Sequence, residues 1–210
     1  MLKAPYVVTG ASKGLGRAIA RNLAECGHPI IALSSDAVSL GLAGAEFASI
    51  QPDSITITCD LADRADIAAA AEQIKAKTGW IAGIVHNAGI ISPIKSMAEV
   101  DRANWARNIQ INLVGVQDLT NRLIPVMGGK QQSRVTTISS GASLRAISGW
   151  SAYCVAKAGL DMWAKCLAEE GTESNISAIS IAPGIVDTDM QKTIRSSNEN
   201  DFPDHKTFVE

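Results

Sequence analysis

Residues 7–27 read VVTGASKGLGRAIARNLAECG, and this stretch decides which fold class the sequence predicts. A short apolar strand opens it, and an amphipathic helix follows from about Arg17 to Glu25. The turn between them holds Gly10, Gly14 and Gly16, spaced G-x-x-x-G-x-G. The backbone N–H groups of such a turn lie at a helix N-terminus, which is a binding site for a diphosphate. For this stretch alone, a tight turn without a ligand is the alternative.

The same alternation of short apolar segments and helical patterns continues along the chain. Repeated β-α-β units imply a parallel sheet with right-handed crossovers. The predicted fold is therefore α/β, a doubly wound, Rossmann-like sheet with helices on both faces. Ligands of such sheets bind at the carboxyl ends of the strands. The further predicted strands are 30–33, 55–59, 81–86, 134–138 and 176–181, and the further predicted helices are 63–77, 103–125 and 152–170.

Length and composition are those of one globular domain. The 210 residues are 46% hydrophobic and carry a net charge of −2, which argues against disorder and against a nucleic-acid partner. No apolar run approaches the ~20 residues that span a bilayer, and we expect no signal peptide before the first strand. The four cysteines form no CxxC or Cys/His cluster, so we predict reduced thiols and no metal site. These features predict a cytoplasmic protein without a membrane partner.

Three residues near the middle of the chain suggest proton-transfer chemistry. Tyr153 and Lys157 are four apart in a predicted helix, so their side chains share one face, and Ser140 ends a predicted strand. Free tyrosine titrates near pH ~10, and a neighbouring positive charge lowers that value. A serine hydroxyl nearby can hold a carbonyl oxygen. Alone, a Tyr-x-x-x-Lys pair also arises by chance on exposed helices.

A set of motif positions in the family's order resembles the short-chain dehydrogenase/reductase family, and the resemblance covers essentially the whole chain. It implies that Tyr153 is the general acid for carbonyl reduction and that Lys157 lowers the Tyr153 pKa and binds the nicotinamide ribose. It implies that Ser140 holds the substrate oxygen. Asn112 lies inside a predicted helix, where the resemblance implies a helix distortion that holds a water in a proton relay with Lys157. The motif positions are the glycine turn, Asn87-Ala88-Gly89, Asn112, Ser140, Tyr153 and Lys157.

The resemblance also implies a nicotinamide dinucleotide, and we predict NADP (NADPH). NAD-preferring relatives carry an Asp about eighteen residues after Gly16, where this chain has Ser34. Lys13 matches a basic position that NADP-preferring relatives use for the 2′-phosphate. Against this, Ser35 stands where those relatives often have Arg, and Asp36 follows it. An NAD-dependent enzyme stays open on these residues.

The implied cofactor-binding residues follow most of the predicted strands, and two of them lie in the helix predicted at 152–170. Asp60-Leu61 resembles the pair that contacts adenine, and His86 replaces the first Asn of the family's Asn-Asn-Ala-Gly. The loop from Pro183 to Thr188 matches the one that meets the nicotinamide amide and the phosphates. The full predicted set is Gly10, Ser12, Lys13, Gly14, Leu15, Gly16, Ser34, Ser35, Asp60, Leu61, Asn87, Ala88, Gly89, Tyr153, Lys157, Pro183, Gly184, Ile185 and Thr188.

Two stretches, 149–154 and 182–191, look like the sepiapterin reductase branch of the family, which includes microbial benzil reductases. That resemblance implies an aromatic or vicinal dicarbonyl substrate. We expect Leu144, Trp150 and Met190 to line an apolar pocket beside the nicotinamide. The alternatives are a catalytically silent NADP-binding sensor and an NAD-dependent alcohol dehydrogenase.

The C-terminal part departs from the family pattern. We predict one dinucleotide-binding and catalytic domain over residues 1–190 and a polar, mobile substrate-loop segment over residues 191–210. We expect the family's last helix and strand to be missing from this sequence and the sixth strand to be an exposed edge. The resemblance implies a homodimer that pairs through the helices predicted at 103–125 and 152–170.

Overall fold

Six apolar segments form one parallel sheet in the computed structural model, which describes residues 3–205. The strand order is β3-β2-β1-β4-β5-β6, and every neighbouring pair is parallel. This is the order of a doubly wound dinucleotide-binding sheet, so the predicted α/β fold is confirmed. The strands are β1 (Tyr6–Thr9), β2 (Ile30–Ser34), β3 (Ile55–Thr58), β4 (Gly83–His86), β5 (Ser133–Ile138) and β6 (Ile176–Ile181).

Seven α-helices connect or follow the strands in the described part of the chain. The sequence predicted one long helix over 103–125, but the structure divides it into two helices with a π-helical turn at Gln110–Val114 between them. The sequence did not predict α2 or α7. The helices are α1 (Gly14–Glu25), α2 (Ala37–Ile50), α3 (Arg64–Lys77), α4 (Arg102–Ile109), α5 (Gly115–Leu123), α6 (Ser151–Glu170) and α7 (Asp189–Arg195).

Helices cover both faces of the sheet. Because successive side chains of a strand point to opposite faces, neighbouring residues of one strand pack on different helices. On β1, Val7 packs with α3 and α5, while Val8 packs with α1 and α2. Both valines are completely buried. Strands buried on both faces are continuous apolar runs, which is the pattern that the sequence shows.

The edge strand β6 is open on one side and one face. It pairs with β5 alone among the described strands. Ile179 and Ile181 are 47% and 44% exposed, whereas Ala178, just before them in the strand, packs on the core with α6. The predicted exposed edge is confirmed, and it leaves two isoleucines unburied.

The segment after residue 190 is more structured than its polar composition indicated. The helix α7 crosses the predicted domain boundary, and Ile194 in it is buried. Phe202 is completely buried and stacks on Trp150 with ring centroids 4.9 Å apart. This apolar anchor packs the segment as far as residue 205 against the domain, whereas residues 206–210 lie outside the described residues.

His86 is a buried, neutral histidine at the end of β4. Its Nε2 lies 2.7 Å from Thr120 Oγ1, and that hydroxyl donates to the Val116 carbonyl at 2.9 Å. The hydroxyl proton is therefore used, so the histidine carries its hydrogen on Nε2. The ring packs edge-to-face with Trp163 on α6. Burial lowers the His86 pKa to about 3.

Because folded His86 stays neutral in mild acid, we predict that the protein loses stability as the pH falls. An unfolded histidine takes up a proton below pH ~6.5, but folded His86 does not until about pH 3. The unfolded state therefore binds more protons in this window, and stability falls as the pH drops, by up to ~1.4 kcal/mol per pH unit. Urea unfolding between pH 4.5 and 7 measures this slope. His86→Gln retains an N–H donor but does not titrate, so its slope should be shallower. Equal slopes for the two proteins would contradict the assignment.

Candidate active site

The carboxyl ends of the strands open into a single large cleft of about 910 Å³. Ser140, Tyr153 and Lys157 line one end of it. The cleft brings together every predicted cofactor residue except Gly16. The residues it shares with that prediction are Gly10, Ser12, Lys13, Gly14, Leu15, Ser34, Ser35, Asp60, Leu61, Asn87, Ala88, Gly89, Tyr153, Lys157, Pro183, Gly184, Ile185 and Thr188.

The glycine turn has the backbone that a diphosphate cradle needs. Gly10 and Gly14 adopt φ values of +64° and +54°, which side chains rarely tolerate. Gly16 packs the helix against the strand ends: a Cβ there would lie 2.2 Å from the Gly10 carbonyl oxygen and 2.3 Å from Asn87 Nδ2. Asn87 in turn donates to the Thr9 carbonyl at 3.1 Å and joins β4 to β1. The turn and its neighbours therefore fit a dinucleotide phosphate group.

The far end of the cleft contains hydroxyls near the end of β2 and the ammonium of Lys13 from the glycine turn. Ser12 and Ser34 hydroxyls are 3.0 Å apart. The Asp36 carboxylate caps α2, accepting from Ser39 Oγ at 2.6 Å and from the Ser39 N–H at 3.1 Å, and these bonds lower the Asp36 pKa. Lys13 forms an exposed ion pair with Asp189 of α7 at 2.9 Å. We expected the Asp36 charge to weaken binding of a 2′-phosphate, but Asp36 does not line the cleft.

Asp60 and Leu61 lie where the chain passes from β3 toward α3. The Asp60 carboxylate accepts from the Ala62 N–H at 2.9 Å and pairs with Arg107 at 3.1 Å. Arg107 on α4 also lines the cleft, and the sequence did not single it out. Its position depends on the long-range contact between α4 and the loop after β3, which no local pattern encodes.

Lys157 is a buried ammonium beside the end of β5. It is 4% exposed, and its Nζ donates to the Ile138 carbonyl at 2.7 Å. Burial lowers the Lys157 pKa to about 8, while the negative charge of Asp161 opposes that change. A small further change in surroundings can thus move its charge within the physiological range.

Tyr153 lies one helical turn before Lys157 and is 6% exposed. Lys157 Nζ is 5.6 Å from the centre of its ring. Burial raises the Tyr153 pKa, and a hydrogen bond with Ser140 partly offsets this. We expected Lys157 to lower that pKa, but burial dominates, and Ser140 is the group that opposes it. The Tyr153 hydroxyl also donates to Met190 Sδ at 3.8 Å.

Asn112 does not line the cleft but contacts its wall. It lies in the π-helical turn, so the predicted helix distortion is present. Its Oδ1 accepts from the Ile90 N–H at 2.9 Å, and its Nδ2 donates to the Ile90 carbonyl at 2.8 Å. A Cβ on Gly89 would lie 2.7 Å from Asn112 Oδ1 and 3.6 Å from Lys157 Nζ. Asn112 and Lys157 therefore flank the same glycine.

The part of the cleft beside Tyr153 is mostly apolar. Two of the three side chains that we expected there line it, and one does not. Trp150 and Met190 line it, as expected. Leu144 does not, because it follows a 3₁₀ turn at Gly141–Ser143 and its side chain is 86% exposed. The sequence missed the residues that complete this wall, since they come from separate loops and α7. They are Ile91, Ala142, Ile147 and Ile194, and the exposed, charged Arg145 also lines the cleft.

Residues 3–205 contain neither a membrane-spanning helix nor a cluster of metal ligands. None of the helices in this range is long and apolar enough to cross a membrane. No cluster of three or more His, Cys, Asp or Glu side chains in the same range could hold a metal ion.

The cleft and fold have counterparts in known proteins. A family model described as short chain dehydrogenase matches residues 5–199, and the chain belongs to this family of oxidoreductases. A benzil reductase ((S)-benzoin forming) of Bacillus subtilis is 35% identical over 210 residues, covering 94% of this chain and 80% of the relative. A benzil reductase ((S)-benzoin forming) of Saccharomyces cerevisiae is 32% identical and covers 91% of this chain and 74% of the relative. The KRED1-Pglu enzyme structure superposes with a TM-score of 0.87 at 32% identity, covering 99% of this chain and 85% of that one.

The packing of Gly16 predicts that Gly16→Ala lowers stability by about 1–3 kcal/mol, since the new Cβ collides with backbone and Asn87. Displacement of the turn should weaken dinucleotide binding as well. Gly41→Ala is the matched control, because nothing lies within 4 Å of a Cβ there. This helical change should stabilise the protein by about 0.5–1 kcal/mol. Urea unfolding measures both, and a neutral Gly16→Ala would refute the packing role.

Proposed function

We propose that this protein is an NADPH-dependent carbonyl reductase that reduces an aromatic or vicinal dicarbonyl, with benzil as a representative substrate. The meeting of Ser140, Tyr153 and Lys157 at one end of a dinucleotide cleft carries this proposal. The apolar wall formed by Trp150 and Met190 suits an aromatic ring. The two benzil reductase relatives support the same substrate class.

The proposed roles follow from the chemistry of each side chain. The bound dinucleotide would supply the hydride. Tyr153 gives its phenolic proton to the substrate oxygen, and Ser140 holds that oxygen in line with the phenol. Lys157 stabilises the phenolate that remains after the proton has left. Asn112 fixes the wall beside Lys157 through its paired bonds to Ile90. Burial of Tyr153 keeps its proton on until the reaction generates a stronger base.

The preference for NADPH over NADH rests on the end of β2. Ser34 and Ser35 line the cleft where a carboxylate would repel a 2′-phosphate. The Asp36 charge is held by the N–H groups of α2 and by Ser39. Lys13 lies on the cleft wall and pairs with the exposed carboxylate of Asp189. A 2′-phosphate could therefore replace that carboxylate as the partner of Lys13. An NAD-dependent alcohol dehydrogenase is the alternative.

Tyr153→Phe should lower kcat/KM for benzil reduction by at least ~10²-fold, because it removes the proton donor and leaves the ring. NADPH absorbance measures the rate, and fluorescence titration should show that the variant still binds NADPH. Tyr6→Phe is the matched control, since the chain has two tyrosines and Tyr6 packs on His28 away from the cleft.

Two outcomes would count against this assignment. Retained turnover in Tyr153→Phe would show that another group delivers the proton. Saturable NADPH binding by the wild-type protein without turnover of any vicinal dicarbonyl would favour the silent cofactor-binding alternative, although the intact Ser, Tyr and Lys set argues against it.

We also propose that the protein is a homodimer that pairs through α6. Val155 and Met162 are 52% and 58% exposed, and their spacing of seven residues puts them on the same face of this helix. Val114, in the π-helical turn near α6, is 41% exposed. Large apolar side chains at these positions suit a helix-to-helix contact between copies.

Light scattering after size exclusion should then give twice the chain mass of 22.0 kDa. Met162→Glu should shift the protein toward monomer, because it buries a charge in the contact. Met97→Glu is the control, since Met97 is 80% exposed on a loop before α4. A wild-type protein that elutes only as monomer would exclude this dimer.

A further inference from the structure

A second asparagine, Asn108, is buried one helical turn before Asn112. It is 0% exposed. Its Nδ2 lies 2.8 Å from the Ser92 carbonyl oxygen, 3.1 Å from that of Ile90 and 3.3 Å from that of Ile91. Its Oδ1 accepts from Asn112 Nδ2 at 2.8 Å. Both ends of this amide are therefore bonded to the wall of the cleft or to Asn112.

These contacts allow only one orientation of the two amides. If the Asn108 amide were flipped, its oxygen would face three carbonyl oxygens and its NH₂ group would face the NH₂ group of Asn112. Neither arrangement forms a hydrogen bond. Asn112 has two amide hydrogens, and both are used, one on the Ile90 carbonyl and one on Asn108 Oδ1. A buried polar group left unpaired costs about 1–3 kcal/mol, so the arrangement is strongly favoured over its alternatives.

The segment held by Asn108 adjoins the reacting groups. Ile91 and Ser92 line the cleft, and Gly89, just before the held segment, fits between Asn112 and Lys157. Asn108 itself lies outside the cleft, so it can act only through these neighbours. Asparagine is a mediocre residue for a helix interior, so local helix propensity does not explain it.

We propose that Asn108 is a positioning residue for the reaction: it fixes the amide of Asn112 and the carbonyls of residues 90–92, and so sets the surroundings of the Lys157 ammonium. This inference rests on the proposed carbonyl reduction. A purely structural residue would affect the rate through overall stability. The proposal instead requires Asn108 to affect the rate through Asn112.

A double-mutant cycle tests that requirement. Asn108→Ala should lower kcat for benzil reduction about 10- to 100-fold and change the NADPH Kd by less than about threefold. The double variant Asn108→Ala/Asn112→Ala should be no slower than Asn112→Ala, because residues in one network are not additive. Multiplying effects, or an unchanged kcat in Asn108→Ala, would overturn the proposal.

A readout without turnover separates this inference from the proposed function. The Ile90 N–H donates to Asn112 Oδ1, so its hydrogen exchange should accelerate at least about tenfold in Asn108→Ala. Phe47→Leu, in the core beside α1 and α2, is the control for general destabilisation and should leave that exchange within about threefold of wild type. Unchanged Ile90 exchange in Asn108→Ala would refute the inference even if wild-type protein reduces benzil.

Two further results complete the test. If wild-type protein reduces no dicarbonyl, the proposed function fails, and the Ile90 exchange still decides whether Asn108 orders this wall. If Asn108→Ala does not fold, Asn108→Ser, whose hydroxyl is small enough for the site, takes its place in both experiments with the same expected directions.

Discussion

A positive charge buried between the longest helix and the sheet is the constraint on which the rest of the site depends. Lys157 would be costly to bury without compensation, and the structure supplies the Ile138 carbonyl at the end of β5 and the negative charge of Asp161 one turn later. Asp161 also accepts from the Ser180 hydroxyl of β6. These polar contacts hold α6 across β5 and β6, and they bring Tyr153 to the carboxyl end of the sheet.

The polar groups around the cleft follow one rule. The central strands β1, β2 and β4 are mostly apolar, and hydroxyls and amides are concentrated where these strands end. Asn87 joins β1 to β4 through the Thr9 carbonyl, and Asn112 with Asn108 holds the next segment through Ile90. Each asparagine pairs with backbone, so the wall of the cleft is fixed before any ligand arrives. Such preorganisation is what electrostatic catalysis requires.

The sequence predicted the fold and most of the site because both depend on short-range patterns. Apolar strands alternate with helices, and Tyr153 and Lys157 share a helix face by spacing alone. The sequence did not predict what depends on distant contacts. Burial of Phe202 against Trp150 packs a segment whose composition is polar, and Leu144 points into solvent although it is apolar. The Tyr153 pKa likewise follows from burial that only the assembled fold creates.

The most direct test of the account is the initial rate of NADPH oxidation by this chain with benzil, with NADH measured in parallel. We predict turnover that is faster with NADPH and yields the hydroxyketone. Equal or faster turnover with NADH would contradict the NADPH preference that we infer from Ser34 and Lys13. Tight NADPH binding with no reduction of benzil or other vicinal dicarbonyls would contradict the proposed reductase itself.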